Sequence, residues 1–314
     1  MKWVSNLSVH NRYRRRIMGI ANGSEPFYIP RESRRLFERK EANLEIWKVD
    51  RGLHSRGVRF RASIKEMLRG IRLKKLRALG GVVCWRVDGE RVRLIDDDFN
   101  MGGHGARYLY IPLDEIWIDE ACKNWNTLFF HEYAEYRLMC RGMNYNDGHD
   151  VASKVEITIR QGDFVLPVSH FEQEENYTCG PASLRIVLDY LGRRATERQL
   201  VKLSKTGSEH GTDPDDLVAA ARTLRYKVRW HEHWTVRSVI RTLKAGLPVI
   251  ANHQQTRKKG DGHYAVIIGY TKHGEFVLSD PSCDDRFRLV PIKRFMKMWY
   301  EIEDDTTREG IVVY

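Results

Sequence analysis

The chain has 314 residues, 42% of them hydrophobic and 11% aromatic, which is enough apolar material for two globular domains and excludes a disordered polypeptide. Its net charge of +11 is uneven: 24 Lys and Arg face 9 Asp and Glu over residues 1–93, 6 face 12 over residues 94–160, and 23 face 21 over residues 161–314. No run reaches the ~18 consecutive apolar residues of a membrane span, and five irregularly spaced cysteines (Cys84, Cys122, Cys140, Cys179, Cys283) give no disulfide framework, so a reducing, cytoplasmic setting is expected.

At the start of the chain, Arg12, Arg14, Arg15 and Arg16 precede only a short apolar patch, so no signal-peptide core is read there. That run and the later one from Arg69 to Arg77 give residues 1–93 a basic face suited to nucleic acid or an acidic partner. The second run also reads as an amphipathic helix, with Ile64, Met67, Leu68, Ile71, Leu73 and Leu76 forming an approximate apolar stripe. A hairpin is expected next: one strand over Val82–Val87, an Asp88-Gly89 turn, and a second strand over Arg91–Ile95. More strand signal follows at Tyr108–Ile111 and Ile116–Asp119.

Downstream lies His131-Glu132-Tyr133-Ala134-Glu135, flanked by Leu128-Phe129-Phe130 and Leu138-Met139, and then His149 and Glu156. On a helix His131 and Glu135 share one face, and His149 and Glu156 share a face of the next, so two packed helices would gather these groups. The pattern resembles that of zincin metallopeptidases, whose H-E-x-x-H helix supplies two metal ligands and a general-base Glu. Glu135 stands where the second His would be. The resemblance implies Zn²⁺ on His131, Glu135 and His149, with Glu132 activating the bound water and Glu156 supporting the ligands or replacing one of them.

A domain boundary is expected near residues 157–163, dividing the chain into residues 1–160 and residues 161–314. The expected class is α+β, the C-terminal domain having helices packed on a small antiparallel sheet.

In that second half, Cys179 opens a stretch in which Leu184, Val187, Leu188 and Leu191 recur at helical spacing, with Pro181 in the first turn and Gly192 as the stop. Cys179 is therefore expected at a helix N-terminus, where the positive end of the helix favours a thiolate. His263 begins an apolar, β-branched run through Tyr270, and a second strand over Glu275–Ser279 delivers Asp280 beside it. There a carboxylate would orient the imidazole. Gln173, six residues before the cysteine, is close enough to donate its side-chain amide to an oxyanion. Helices are also read over Asp213–Leu224 and Thr235–Ala245, with a short buried strand at Pro248–Ile250.

Leu166-Pro167-Val168 with Gln173, Cys179-Gly180-Pro181-Ala182, Gly211-Thr212-Asp213, Gly246-Leu247-Pro248-Val249, Gly262-His263-Tyr264-Ala265-Val266 and Asp280-Pro281 resemble the papain-like peptidase domains that process double-glycine leaders in bacterial ABC exporters. The resemblance covers about residues 165–300. It implies hydrolysis of a protein or peptide through an acyl-enzyme, without a cofactor, with Cys179 as nucleophile, His263 as general base and acid, Asp280 orienting it and Gln173 in the oxyanion hole. Transglutaminase-like enzymes share the Cys, His, Asp order, so acyl transfer is a variant. Two other readings stand beside this one: a metal-dependent hydrolase centred on His131 and Glu132, and a non-enzymatic adaptor or virion-type component that binds nucleic acid through residues 1–93.

Overall fold

The computed structural model describes residues 69–108, 110–255, 262–283, 287–301 and 306–314, so the basic run at Arg12–Arg16 lies outside it. The described residues up to Ile157 form one compact unit and those from Thr158 onward a second. Both are α+β. No helix among the described residues is long and apolar enough to cross a membrane.

The earlier unit is built on a four-stranded mixed sheet of order β1-β2-β4-β3. Strands β1 (Arg72–Leu79) and β2 (Val82–Val87) form an antiparallel hairpin, with Leu79 opposite Val82. The two residues between them, Gly80 and Gly81, have φ of +56° and +80°, the left-handed pair that a two-residue hairpin turn demands. This corrects the amphipathic helix read across Ile64–Leu76. Ile64, Met67 and Leu68 fall outside the described residues; Ile71 is buried directly before β1, whereas Leu73 is half-exposed on an edge strand. The Gly-Gly turn decides the local structure, and the 3.6-residue spacing is coincidental.

The hairpin expected at Asp88-Gly89 is corrected as well. Asp88 has φ −72° and caps the short helix α1 (Gly89–Arg93), its carboxylate accepting from the Arg91 N–H at 3.0 Å. Gly89 serves close approach rather than a turn, since a Cβ there would stand 1.9 Å from Asp119 Oδ2. That carboxylate is held by Arg93 Nη1 at 2.7 Å and by the Ala121 N–H at 2.9 Å. Gly89→Ala is accordingly expected to destabilise the protein by about 1–3 kcal/mol, read from its urea midpoint; an unchanged midpoint would contradict this account.

Strand β3 (Gly102–His104) is antiparallel to β4 (Glu115–Asp119), which runs parallel to β2. The strand expected at Tyr108–Ile111 is instead a turn, closed by bonds from the Tyr108 N–H to His104 O and from the Ile111 N–H to Tyr108 O. Its apolar residues are explained by burial: Tyr110 and Ile111 join Ile71, Val87, Val92, Phe99 and Trp117 in the core. Helix α2 (Trp125–Met139) packs against β3 and β4, and α3 (Tyr145–Arg160) follows it.

In the later unit the sheet has order β10-β9-β8-β7-β13-β6, every neighbour antiparallel, with the short β5 (Phe164–Val165) added to β8. Helix α4 (Cys179–Tyr190) packs on β8 through a face that buries Leu184, Val187 and Leu188 completely. Each such side chain contributes about 1.5–3 kcal/mol of burial. Helices α5 (Glu197–Leu203) and α6 (Pro214–Thr223) lead to β6 (Val228–His231), and α7 (Val236–Lys244) leads to β7 (Val249–Gln254). Strands β8 (Gly262–Tyr270), β9 (Glu275–Ser279) and β10 (Arg288–Pro291) meander onward to α8 (Ile292–Met298). A two-stranded ribbon, β11 (Tyr300–Glu301) with β12 (Thr306–Thr307), precedes β13 (Gly310–Val313).

Candidate active site

Cys179 is the first residue of α4, where the opening N–H groups lack helical acceptors and the helix end is positive. His263 stands at the start of β8, and its imidazole hydrogen-bonds the Cys179 thiol. On its other side, His263 Nε2 lies 2.6 Å from Asp280 Oδ1, at the end of β9. The sheet thus converts three distant positions into one line of contacts. Because Nε2 faces the carboxylate, Nδ1 is left for the thiol.

Burial alone would strip charge from His263, but the Asp280 hydrogen bond and the contact with Cys179 outweigh it and raise the imidazole to about 9. For Asp280, burial pushes the carboxyl up, yet the bond and charge of His263 and two bonds from Ser282 hold it below the usual carboxylate range. Ser282 Oγ donates to Oδ1 at 2.9 Å, and Arg288 Nη1 donates to Oδ2 at 2.8 Å. A second imidazole, His253, sits opposite His263 in the β7–β8 register, edge to face at 5.6 Å. Burial, then the nearby His263 charge, lowers it to about 4, so it stays neutral and leaves the positive charge on His263.

Gln173 is tied to this cluster through its backbone: its N–H donates to Pro281 O at 3.0 Å, one residue beyond Asp280. One proton of its side-chain amide goes to Glu175 O at 2.8 Å; the second remains for another acceptor. The loop before Cys179 is pinned by Glu197, a fully buried carboxylate that accepts from Thr178 Oγ1 at 2.6 Å and from the Glu174 N–H at 2.7 Å. Glu197, Ser282, Arg288 and His253 were not singled out in the sequence. Only Glu197 carried a local signal, as the first helical residue after the N-cap Thr196, and its role depends on contacts far along the chain.

In the earlier unit, α2 and α3 bring together the groups expected there. His149 Nδ1 lies 2.7 Å from Glu135 Oε2 and His131 Nε2 lies 3.6 Å from the same oxygen; the ligand atoms of these three residues all fall within 4.8 Å of one another. His131 Nδ1 is 3.0 Å from Glu156 Oε2. His104, which no motif marks, reaches the other oxygen of the Glu135 carboxylate, its Nε2 lying 3.0 Å from Oε1. Burial works against ionised Glu135, but bonds from His104 and His131 hold it below the ordinary carboxylate range. Among the described residues no such donor reaches Glu132, and burial raises it to about 8. A cavity of about 480 Å³ opens here, lined by His131, Glu132, Glu135 and His149 among others. Two imidazoles and one carboxylate around an open space match the donor set of a hydrolytic zinc centre.

Of the basic run, Arg72 pairs with Glu115 at 2.8 Å and stacks on Trp117, while Arg77 bonds Asn126 and covers Phe129 and Phe130. These two cations are engaged within the fold; Lys74 and Lys75 are exposed.

The model of the Peptidase_C39 like family matches residues 165–306. A protein of Methanothermobacter thermautotrophicus, described only as an uncharacterized protein, is 33% identical over 111 residues, spanning 35% of this chain and 69% of its own. Among solved structures, the peptidase domain of Streptococcus ComA, a bi-functional ABC transporter, aligns with TM-score 0.38 and 22% identity over 46% of this chain and 96% of that one. A C39-like peptidase from Bacillus anthracis aligns with TM-score 0.40 and 18% identity over 48% of this chain and 97% of its own.

Proposed function

We propose, from the premise that this chain belongs through residues 165–306 to the Peptidase_C39 like family of cysteine peptidases, that it hydrolyses a peptide bond in a protein or peptide substrate through the thiol of Cys179. The unbroken contact line from Cys179 through His263 to Asp280 carries this reading. His263 takes the thiol proton, and Sγ attacks the scissile carbonyl carbon. The oxyanion that forms is met by the Gln173 amide and the free N–H groups at the start of α4. His263 then gives its proton to the leaving amine as the C–N bond breaks. Water, deprotonated by the same imidazole, hydrolyses the thioester and frees Cys179. An amine in place of that water would make the reaction an acyl transfer. The five cysteines are all unpaired, which supports a papain-like enzyme working in the reducing cytoplasm.

Alkylation by iodoacetamide, mapped by mass to each cysteine, tests the assembly without a known substrate. Cys179 is expected to react fastest at pH 6–7, because burial raises Cys84 (to about 12), Cys122, Cys140 and Cys283. In His263→Ala the rate at Cys179 is expected to fall. Reactivity at Cys179 no greater than at Cys283 would defeat the proposal.

A second reading concerns the earlier unit, favoured by the convergence of His131, Glu135 and His149 within 4.8 Å. Under it these residues would hold one Zn²⁺, which would lower the pKa of a bound water, and Glu132 would serve as the base. Protein purified from zinc-supplemented medium is expected to carry about one Zn²⁺ per chain, removed by a chelator; metal-free protein would count against it. A third reading, a nucleic-acid adaptor role for residues 1–93, draws only on their positive surplus and is tested by salt-dependent binding to DNA or RNA.

A further inference from the structure

His104 is completely buried, yet none of the chemistry above uses it. It ends β3, the edge strand beside α2, and residues 102 and 104 share one face of that strand. That face meets the His131–Glu135 turn of α2: a Cβ on Gly102 would lie 2.8 Å from Glu132 Oε1, and His104 Nε2 approaches Glu135 Oε1 to 3.0 Å. The Tyr136 ring closes on the imidazole edge to face, 5.6 Å between centroids. The ring is clamped with one nitrogen aimed at one carboxylate oxygen.

We infer that His104 is the positioning residue of the zinc centre: it donates from Nε2 to Glu135 Oε1 and so commits the other oxygen, Oε2, to the metal. The inference rests on the metal reading above. The division between the two oxygens is visible in the contacts. Oε1 is held from β3, whereas Oε2 faces His149 Nδ1 at 2.7 Å and His131 Nε2 at 3.6 Å. A glutamate without such a bond rotates about its last torsion and can bind through either oxygen or both. With the bond, one oxygen is presented in one place, and ligands fixed in this way hold metal more tightly.

His104 has the proximity to act as a ligand itself, since its donor atom and those of Glu132 and Glu135 also lie within 4.8 Å of one another. The cavity argues for the supporting role. His131, Glu132, Glu135 and His149 line it and His104 does not, so the imidazole stands behind Glu135, away from the space a metal-bound water needs.

The test uses the full chain, stripped by a chelator and titrated with Zn²⁺ against a chromophoric competitor. Wild-type protein is expected to bind one ion, and His104→Phe to bind it about 10- to 100-fold more weakly at an unchanged melting temperature. Should the Phe variant misfold, His104→Gln and His104→Asn supply the comparison. A glutamine amide reaches the Nε2 position and is expected to keep most of the affinity, while an asparagine amide falls short and is expected to lose it. Equal affinity in all folded variants would overturn the inference, as would two ions in wild type and one in His104→Gln, which would make His104 a ligand. If wild-type protein takes up no zinc, the metal reading itself falls and takes this inference with it.

Discussion

Cys179→Ala is expected to remove peptidase turnover, by about 10³-fold or more in kcat/KM, and to leave the fold in place. Every step of the proposed reaction forms or breaks a bond to Sγ, so no partial mechanism survives its loss. The other four thiols offer no substitute: Cys84 and Cys122 are buried, Cys140 belongs to the earlier unit, and Cys283 is raised by burial and the Asp280 charge. Alanine is a good helix former, and the packing of α4 on β8 depends on Leu184, Val187 and Leu188 instead. The measurement is cleavage of a peptide library by both proteins, with near-UV circular dichroism as the folding control. A folded Cys179→Ala variant with wild-type cleavage would remove the thiol from the mechanism.

Asp280→Asn is expected to cost about 10²–10⁴-fold in kcat and to move the alkaline limb of the pH profile. The carboxylate 2.6 Å from His263 Nε2 orients the ring and stabilises the imidazolium. Burial opposes charge on His263, and the Asp280 bond is the foremost influence raising it to about 9. A raised imidazole keeps its proton through neutrality and surrenders it as pH climbs through that value. Wild-type activity is therefore expected to decline above pH ~9, as the proton destined for the leaving amine is lost. Asparagine withdraws the negative charge, so the decline is expected to begin at lower pH. It also leaves the Arg288 guanidinium facing a neutral group. A variant with reduced kcat and an unmoved alkaline limb would show that Asp280 shapes the loop without tuning His263.

The cluster around Cys179 was legible in the sequence because each of its members sits at an element boundary that announces itself. Pro181 and Gly192 mark the ends of the helix that Cys179 begins, and the run from His263 to Tyr270 has the β-branched character of a buried strand. What supports these residues was not legible. Arg288 and Ser282 act through bonds to Asp280, and Glu197 acts through Thr178, contacts that depend on how strands and helices are stacked. In the earlier unit, the pairing of His131 and Glu135 followed from helix geometry. His104 escaped notice because Gly102-Gly103-His104-Gly105 has neither helical nor strand periodicity. The helix expected across Ile64–Leu76 gives way to a strand over its described part for a related reason: a single pair of glycines at positive φ outweighs a stripe of apolar residues.

The place of β13 in the sheet bears on the order in which the enzyme comes into being. Residues 310–313 lie between β7 and β6, so β6, made some eighty residues earlier, reaches the rest of the sheet only through them. A nascent chain on the ribosome can bring β7, β8 and β9 together as they emerge, and with them His263 and Asp280. It cannot close the sheet until residue 313 is free. β13 is thus the keystone of the sheet: the strands that carry His263 and Asp280 can pair before it, and β6 joins them only once it is inserted.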